Sequence, residues 1–202
     1  MPPRFVARQL SRPTGLFGSL VGKLMNRHNA KMNAFALRLL DLDSSDRVLE
    51  IGFGGGLILP GLIEKAGYTG GVDRSSSMVR QAATRFSEAI AAGTADFREG
   101  NIEALPFEPE SFGKVCTVNT IYFWTSLDAG FTEIHRVLAP GGRAVIGFLP
   151  KEWMDRGGFP PDIFTSRATD DVLAAAKKAG FKDPRVERPA TTTRWVVILA
   201  RK

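Results

Sequence analysis

Residues 48–56 read Val-Leu-Glu-Ile-Gly-Phe-Gly-Gly-Gly, and Asp73 closes the apolar run that follows. Val48, Leu49 and Ile51 predict a short buried strand. Gly52, Gly54 and Gly56 then make a turn without side chains. A cofactor can press against bare backbone there, with the N–H groups of the next helix start facing it. Asp73 lies 21 residues beyond Gly52. One crossover helix and one parallel strand fit in that interval and return the acid to the turn, where a carboxylate can accept both ribose hydroxyls of a nucleoside.

The dinucleotide fingerprint requires Gly-x-Gly-x-x-Gly. Here Leu57 occupies the third fingerprint position. That departure weighs against a nicotinamide-dependent oxidoreductase, a rival that also uses a ribose-binding acid. A ligand-free turn between strand and helix is the plainer alternative, and the motifs that follow decide against it.

Those motifs come in order. Gly71-Val72-Asp73-Arg74-Ser75 is the second, and Gly100-Asn101-Ile102-Glu103-Ala104-Leu105-Pro106-Phe107 the third. Phe112 to Trp124 reads as a strand with its exit loop, and Glu133 to Arg143 as a helix, a Pro-Gly-Gly turn and the start of a strand. With Glu50 and the glycine turn, they resemble the class I S-adenosylmethionine-dependent methyltransferases over residues 45–202. The likeness is greatest to the branch that methylates quinones, lipids and small metabolites. Asn101 stands where that family usually has an aspartate.

The resemblance implies S-adenosylmethionine as cofactor and a role for each matching residue. Gly52, Gly54 and Gly56 lie under the methionine portion and the ribose, and Glu50 acts near the methionine amino group or merely orders the glycine loop. Asp73 binds the ribose hydroxyls, with helix capping as its alternative. Arg74 and Met78 flank the adenine, although a Met at helical spacing also suits a core. Asn101, Ile102 and Glu103 line the adenine edge, and Asn119 and Thr120 sit near the methyl group. On the acceptor side, Tyr122, Phe123, Trp124 and Trp153 sandwich a flat substrate or surround an amine, with plain packing as the alternative.

Methyl transfer from a sulfonium is an in-line displacement that needs alignment and exclusion of water more than acid–base machinery. The absence of a Ser-His-Asp or paired-carboxylate constellation therefore does not argue against an enzyme. His28 and Tyr122 are the candidates for a base; for His28 a solvated or capping role is the alternative. Two scattered histidines and one cysteine give no metal-ligand spacing.

The 202 residues, 44% of them hydrophobic, suffice for one domain with a sizeable core. Residues 1–40 carry seven basic side chains and no acid, leaving 20 basic against 21 acidic groups in the other 162 residues. The body is thus nearly neutral, and a basic stripe for nucleic acid is excluded. We expect residues 1–41 to form a basic amphipathic helical segment and residues 42–202 the methyltransferase domain. The segment would lid the pocket, contact an anionic membrane, or both; membrane contact favours a phospholipid or quinone acceptor. Cys116, alone and in an apolar run, suits a reducing compartment. A cytoplasmic enzyme, peripheral to the inner face of a membrane in the second case, is expected. A non-catalytic cofactor-binding subunit is the remaining alternative, and the oligomeric state is open.

Strands are expected near 47–52, 69–73, 94–98, 112–119, 143–149, 183–189 and 193–201. Helices are expected from 16 to 40 and near 56–66, 76–92, 126–138 and 168–179, with an irregular loop over 150–166. This alternation predicts an α/β, Rossmann-like doubly wound, mostly parallel sheet with helices on both faces. The resemblance implies seven strands with the last one antiparallel.

Overall fold

Strand side chains alternate between two apolar layers, which requires cover on both faces of the sheet. The computed structural model describes residues 29–191 and 194–202. Strands β1 (Arg47–Ile51), β2 (Tyr68–Asp73), β3 (Ala95–Glu99), β4 (Phe112–Val118), β5 (Leu138–Phe148), β6 (Lys182–Glu187) and β7 (Val196–Arg201) form one sheet. Their order is β3-β2-β1-β4-β5-β7-β6. The first five pair in parallel, and β7 runs antiparallel to both β5 and β6.

The helices are α1 (29–40, as far as described), α2 (Leu59–Lys65), α3 (Ser76–Arg85), α4 (Ser87–Ala91), α5 (Leu127–Val137), α6 (Lys151–Gly157) and α7 (Thr169–Lys178). Leu49, Ile51, Val115, Ile146 and Ile198 face one layer, which Phe131 and Ile134 of α5 and Val172 of α7 complete. Val48, Cys116, Val145 and Val197 face the other, with Met32, Phe35, Ala36 and Leu40 of α1, Leu59 and Leu62 of α2, and Met78 of α3. The doubly wound arrangement follows from that alternation.

Helix ends obey local chemistry. Ser126 caps α5, its side chain accepting the Ala129 N–H at 3.2 Å. Asp170 and Asp171 open α7 and Lys177 and Lys178 close it, complementing the helix dipole.

Four boundaries depart from expectation. The glycine turn continues to Ile58, so α2 begins only at Leu59. The helix expected over 76–92 breaks at Phe86 (φ −115°, ψ 30°), whose ring packs 5.8 Å from Phe97 of β3. β5 starts at Leu138, because the register shifts between Phe112↔Leu138 and Lys114↔Arg143 and leaves the intervening Pro-Gly-Gly as a bulge. Residues 150–166 are not wholly irregular: Pro150 leads into α6, and Gly158, at φ 63°, ends it.

The basic segment is described only from Asn29 onward, and His28 lies outside the described residues. From Met32 to Leu40 this helix belongs to the core; Phe35 packs 5.5 Å from Trp195, ring centre to ring centre. Among the described residues no helix is long and apolar enough to cross a membrane.

The strand order reverses between β1 and β4. In open α/β sheets the crevice at the carboxyl ends of two such strands is where ligands bind.

Candidate functional site

That crevice begins at the glycine turn. Gly52, Gly54 and Gly56 have φ of 71°, 49° and 65°, a region where only glycine is unstrained. A Cβ on Gly52 would stand 2.4 Å from Cγ2 of Thr120, so the exits of β1 and β4 touch. A Cβ on Gly54 would meet nothing within 4 Å. Gly54 therefore presents backbone to open space, whereas Gly56 is packed under Leu59.

Two acids flank the turn. Asp73, buried at the end of β2, accepts the Gly54 N–H through Oδ2 and the Ser75 N–H through Oδ1, both at 2.8 Å. Burial raises its carboxyl above the usual range, against the pull of those two N–H groups and of Arg74. Glu50, the fourth residue of β1, is only 6% exposed, and its Oε2 has no hydrogen-bond partner. Burial first, and then the charge of Asp73, push its carboxyl up to about 8. Cys116 pairs with Glu50 in register, and its thiol is raised by burial and by Glu50. A buried carboxyl without a partner keeps its proton until a cation arrives.

The exit of β4 is held by a relay of hydroxyls. The Trp124 indole N–H donates to Thr120 Oγ1 at 3.2 Å, Thr120 meets Thr117 hydroxyl to hydroxyl, and Thr117 donates to the Ile51 carbonyl at 2.9 Å. Asn119 has φ 59°, a left-handed conformation that asparagine tolerates. Its Oδ1 accepts the Tyr122 hydroxyl at 3.0 Å, and that hydroxyl accepts the Leu149 N–H at 2.5 Å. Tyr122 thus ties the end of β4 to the end of β5, and burial pushes its phenol well above the usual range. Phe123 is half-buried, 5.8 Å below the Arg74 guanidinium and 5.0 Å from the ring of Phe164. Trp124 is buried against Phe131 at 5.6 Å.

The third motif is placed less uniformly. The Gly100 N–H donates to the Asp73 carbonyl at 3.1 Å, which sets the exit of β3 beside Asp73. Asn101 is exposed, Ile102 is buried in the core layer that holds Trp124, and Glu103 accepts the Ser126 N–H at 2.9 Å, so that carboxylate ties the loop to the start of α5. Met78 is buried in the opposite layer. Trp153 stands on α6, with the guanidinium groups of Arg156 and Arg194 at 4.9 and 5.2 Å from its ring. The structure therefore brings together Glu50, Gly52, Gly54, Asp73, Arg74, Asn119, Thr120 and Phe123, while Met78, Ile102 and Trp124 are core residues behind them. Among the described residues, no group of three or more His, Cys, Asp or Glu could hold a metal ion.

A methyltransferase domain matches residues 49–146. The uncharacterized methyltransferase YdaC of Bacillus subtilis is 30% identical over 166 residues, 81% of this chain and 87% of that protein. The chain belongs to the class I S-adenosylmethionine-dependent methyltransferases. Another relative, the chloroplastic 2-methyl-6-phytyl-1,4-hydroquinone methyltransferase 2 of Oryza sativa, is 31% identical over 76% of this chain and 44% of its own length. The crystal structure of YcgJ from Bacillus subtilis shares the fold, with a TM-score of 0.73, 16% identity, and coverage of 86% of this chain and 98% of that one.

The residues of this methyltransferase fit its cofactor, S-adenosylmethionine. The cofactor carries an ammonium and a sulfonium, and Glu50 Oε2 is a buried acceptor without a partner. The open face at Gly54 leaves room for it. Thr117, Phe164 and Arg167 escape the sequence analysis. Thr117 is signalled only by being polar within an otherwise apolar strand; Phe164 and Arg167 belong to no motif and are revealed by packing alone.

Proposed function

We propose that this methyltransferase passes the methyl group of S-adenosylmethionine to a small-molecule acceptor by in-line displacement, in the cytoplasm. The observation that supports the site best is the partnerless buried carboxyl of Glu50 beside the open face of Gly54. When bound, the cofactor supplies a methyl group already activated by its sulfonium. Glu50, once ionised, holds the ammonium. The backbone of Gly52, Gly54 and Gly56 lies under the methionine portion and ribose. Asp73 keeps the Gly54 amide and turns its remaining lone pairs to the ribose hydroxyls. Arg74, Asn101, Ile102 and Glu103 surround the adenine, with Met78 supporting from the core. Asn119 and Thr120 border the methyl group.

On the acceptor side, Phe123 offers a face and Trp153 a rim. Tyr122 and Trp124 position Asn119 and Thr120 through the hydrogen bonds described above. Tyr122 is thereby a positioning residue, and His28 remains the candidate base for a hydroxyl acceptor. Excluding water and aligning nucleophile, carbon and sulfur are what these residues contribute.

Calorimetry tests the cofactor side: the protein should bind S-adenosylmethionine or its demethylated product and ignore NAD. A screen of tritiated cofactor against a metabolite extract tests the acceptor side. Labelled product confined to protein or nucleic acid fractions would refute a small-molecule acceptor.

A second reading is a quinone or lipid acceptor taken at a membrane surface. The hydroquinone methyltransferase relative and the seven basic residues without an acid in residues 1–40 favour it.

A further inference from the structure

Arg167 is a half-buried cation without a counter-ion. The segment that carries it crosses the exit of β4: the Thr165 N–H donates to the Tyr122 carbonyl at 3.0 Å, and the Phe164 ring lies 6.2 Å from Tyr122 and 5.0 Å from Phe123. The guanidinium donates through Nη2 to the Trp124 carbonyl at 2.5 Å. That is its one hydrogen bond to the described residues, and its Nε is buried with no partner. A guanidinium has five N–H donors. Burial lowers its hold on its proton, and Asp171, in the first turn of α7, is the acid whose charge opposes this; the two form no ion pair.

Residues 1–28 and 192–193 contain no Asp or Glu, so every acid of the chain is among the described residues. None of them forms an ion pair with Arg167. Only its Nε–H is buried without an acceptor, and a buried donor left unsatisfied is costly. The planar fork of a guanidinium matches a carboxylate or phosphate. Two residues link Arg167 to the cofactor turn: it holds Trp124, Trp124 holds Thr120, and Thr120 abuts Gly52.

We propose that Arg167 binds an anionic group of the methyl acceptor, a carboxylate or a phosphate, and so selects acidic small molecules whose apolar part lies along Phe123. This rests on the methyl-transfer reading.

The test uses the full chain loaded with S-adenosylhomocysteine and titrated with phenyl phosphate, with benzoate and with the neutral benzamide. The readouts are affinity and the Arg167 Nε–H resonance in nitrogen-15 NMR. Phenyl phosphate or benzoate should move that resonance saturably while benzamide leaves it in place, and the tighter of the two anions assigns the group. Arg167→Gln should lower anion affinity about 10- to 100-fold. Arg167→Lys should fall less, because the charge remains. Anions that leave the resonance still, benzamide binding as tightly as the anions, or wild-type anion affinity in Arg167→Gln would each overturn the proposal. If the glutamine variant does not fold, the lysine variant decides: weakened, salt-sensitive anion binding supports the site, and equal affinity for anions and benzamide overturns it. Cofactor binding is measured separately; if it is absent, methyl transfer is refuted and the same titrations judge the anion site on the unloaded protein.

Discussion

One oxygen of Asp73 holds the Gly54 amide at 2.8 Å, and the other holds the Ser75 amide at the same distance. The acid proposed to read the ribose is thus also the tether of the glycine turn. Asp73→Ala should lower cofactor affinity about 10- to 100-fold. It should also lower stability by about 1–3 kcal/mol, since two N–H groups lose their acceptor. Asp73→Asn, which keeps one carbonyl oxygen, should fall between. Calorimetry and denaturant unfolding check both effects. An alanine variant with unchanged affinity would reduce Asp73 to a structural tether.

Glu50 makes the ligand-free protein sensitive to alkali. Its carboxyl titrates near 4.5 when unfolded and is pushed up to about 8 in the fold. The folded state therefore binds more protons between those values, and its stability falls as pH rises through that window. The contribution is fully present below about 4.5 and lost by about 8. Glu50→Gln should flatten this slope and stabilise the ligand-free protein at pH 8. The cofactor's ammonium favours ionised Glu50, so binding at pH 6.5 should release a proton. Calorimetry in buffers of different ionisation enthalpy measures it; no buffer dependence would refute the pairing.

Gly52 and Gly54 should fail in different ways. In Gly54→Ala the methyl meets no protein atom within 4 Å, so the left-handed backbone alone costs about 1–2 kcal/mol while cofactor affinity collapses. In Gly52→Ala the methyl strikes Thr120 Cγ2, and the loss of stability should be larger. Adding Thr120→Ser removes that carbon, keeps the hydroxyl and should restore part of the loss. A double-mutant cycle read by thermal unfolding checks the coupling.

Tyr122→Phe should lower stability by about 1–3 kcal/mol, because the part-buried Leu149 N–H loses its acceptor and Asn119 its donor. The pH dependence of turnover should keep its shape, since the phenol, raised by burial, does not titrate in the working range. A lost basic limb in the profile would instead make Tyr122 a base.

Removing residues 1–28 keeps the described part of α1, whose Met32, Phe35, Ala36 and Leu40 are buried in the core. If the basic segment holds the enzyme on anionic lipid, the full chain should sediment with phosphatidylserine vesicles at low salt, and less at high salt. A chain beginning at Asn29 should stay in the supernatant. Equal sedimentation of both chains would refute the membrane role for residues 1–28.

Much of the architecture was legible because strand and helix periods alternate cleanly and the glycine turn and Asp73 flank one crossover. The limits are local. Phe86 interrupts a helical pattern because its ring finds Phe97, a partner outside any sequence window. α6 hides among prolines and glycines that mark its ends as readily as a loop. Tyr122 and Trp124 read as acceptor aromatics, yet their polar atoms are spent on Asn119, Leu149 and Thr120. Arg167 carries no motif at all; its isolation exists only once Trp124, Phe164 and Tyr122 have come together around its segment.

The place of β7 between β5 and β6 has a consequence for synthesis. The chain leaves the ribosome in sequence order, so β5 is complete while its outer edge, lined by Val145, Ile146 and Phe148, still awaits Val196–Arg201. β6 cannot dock in the meantime, because its partner is β7. A nascent chain therefore exposes an apolar, unpaired sheet edge until its last strand emerges, and stalling in that interval should send it to chaperones or into aggregates.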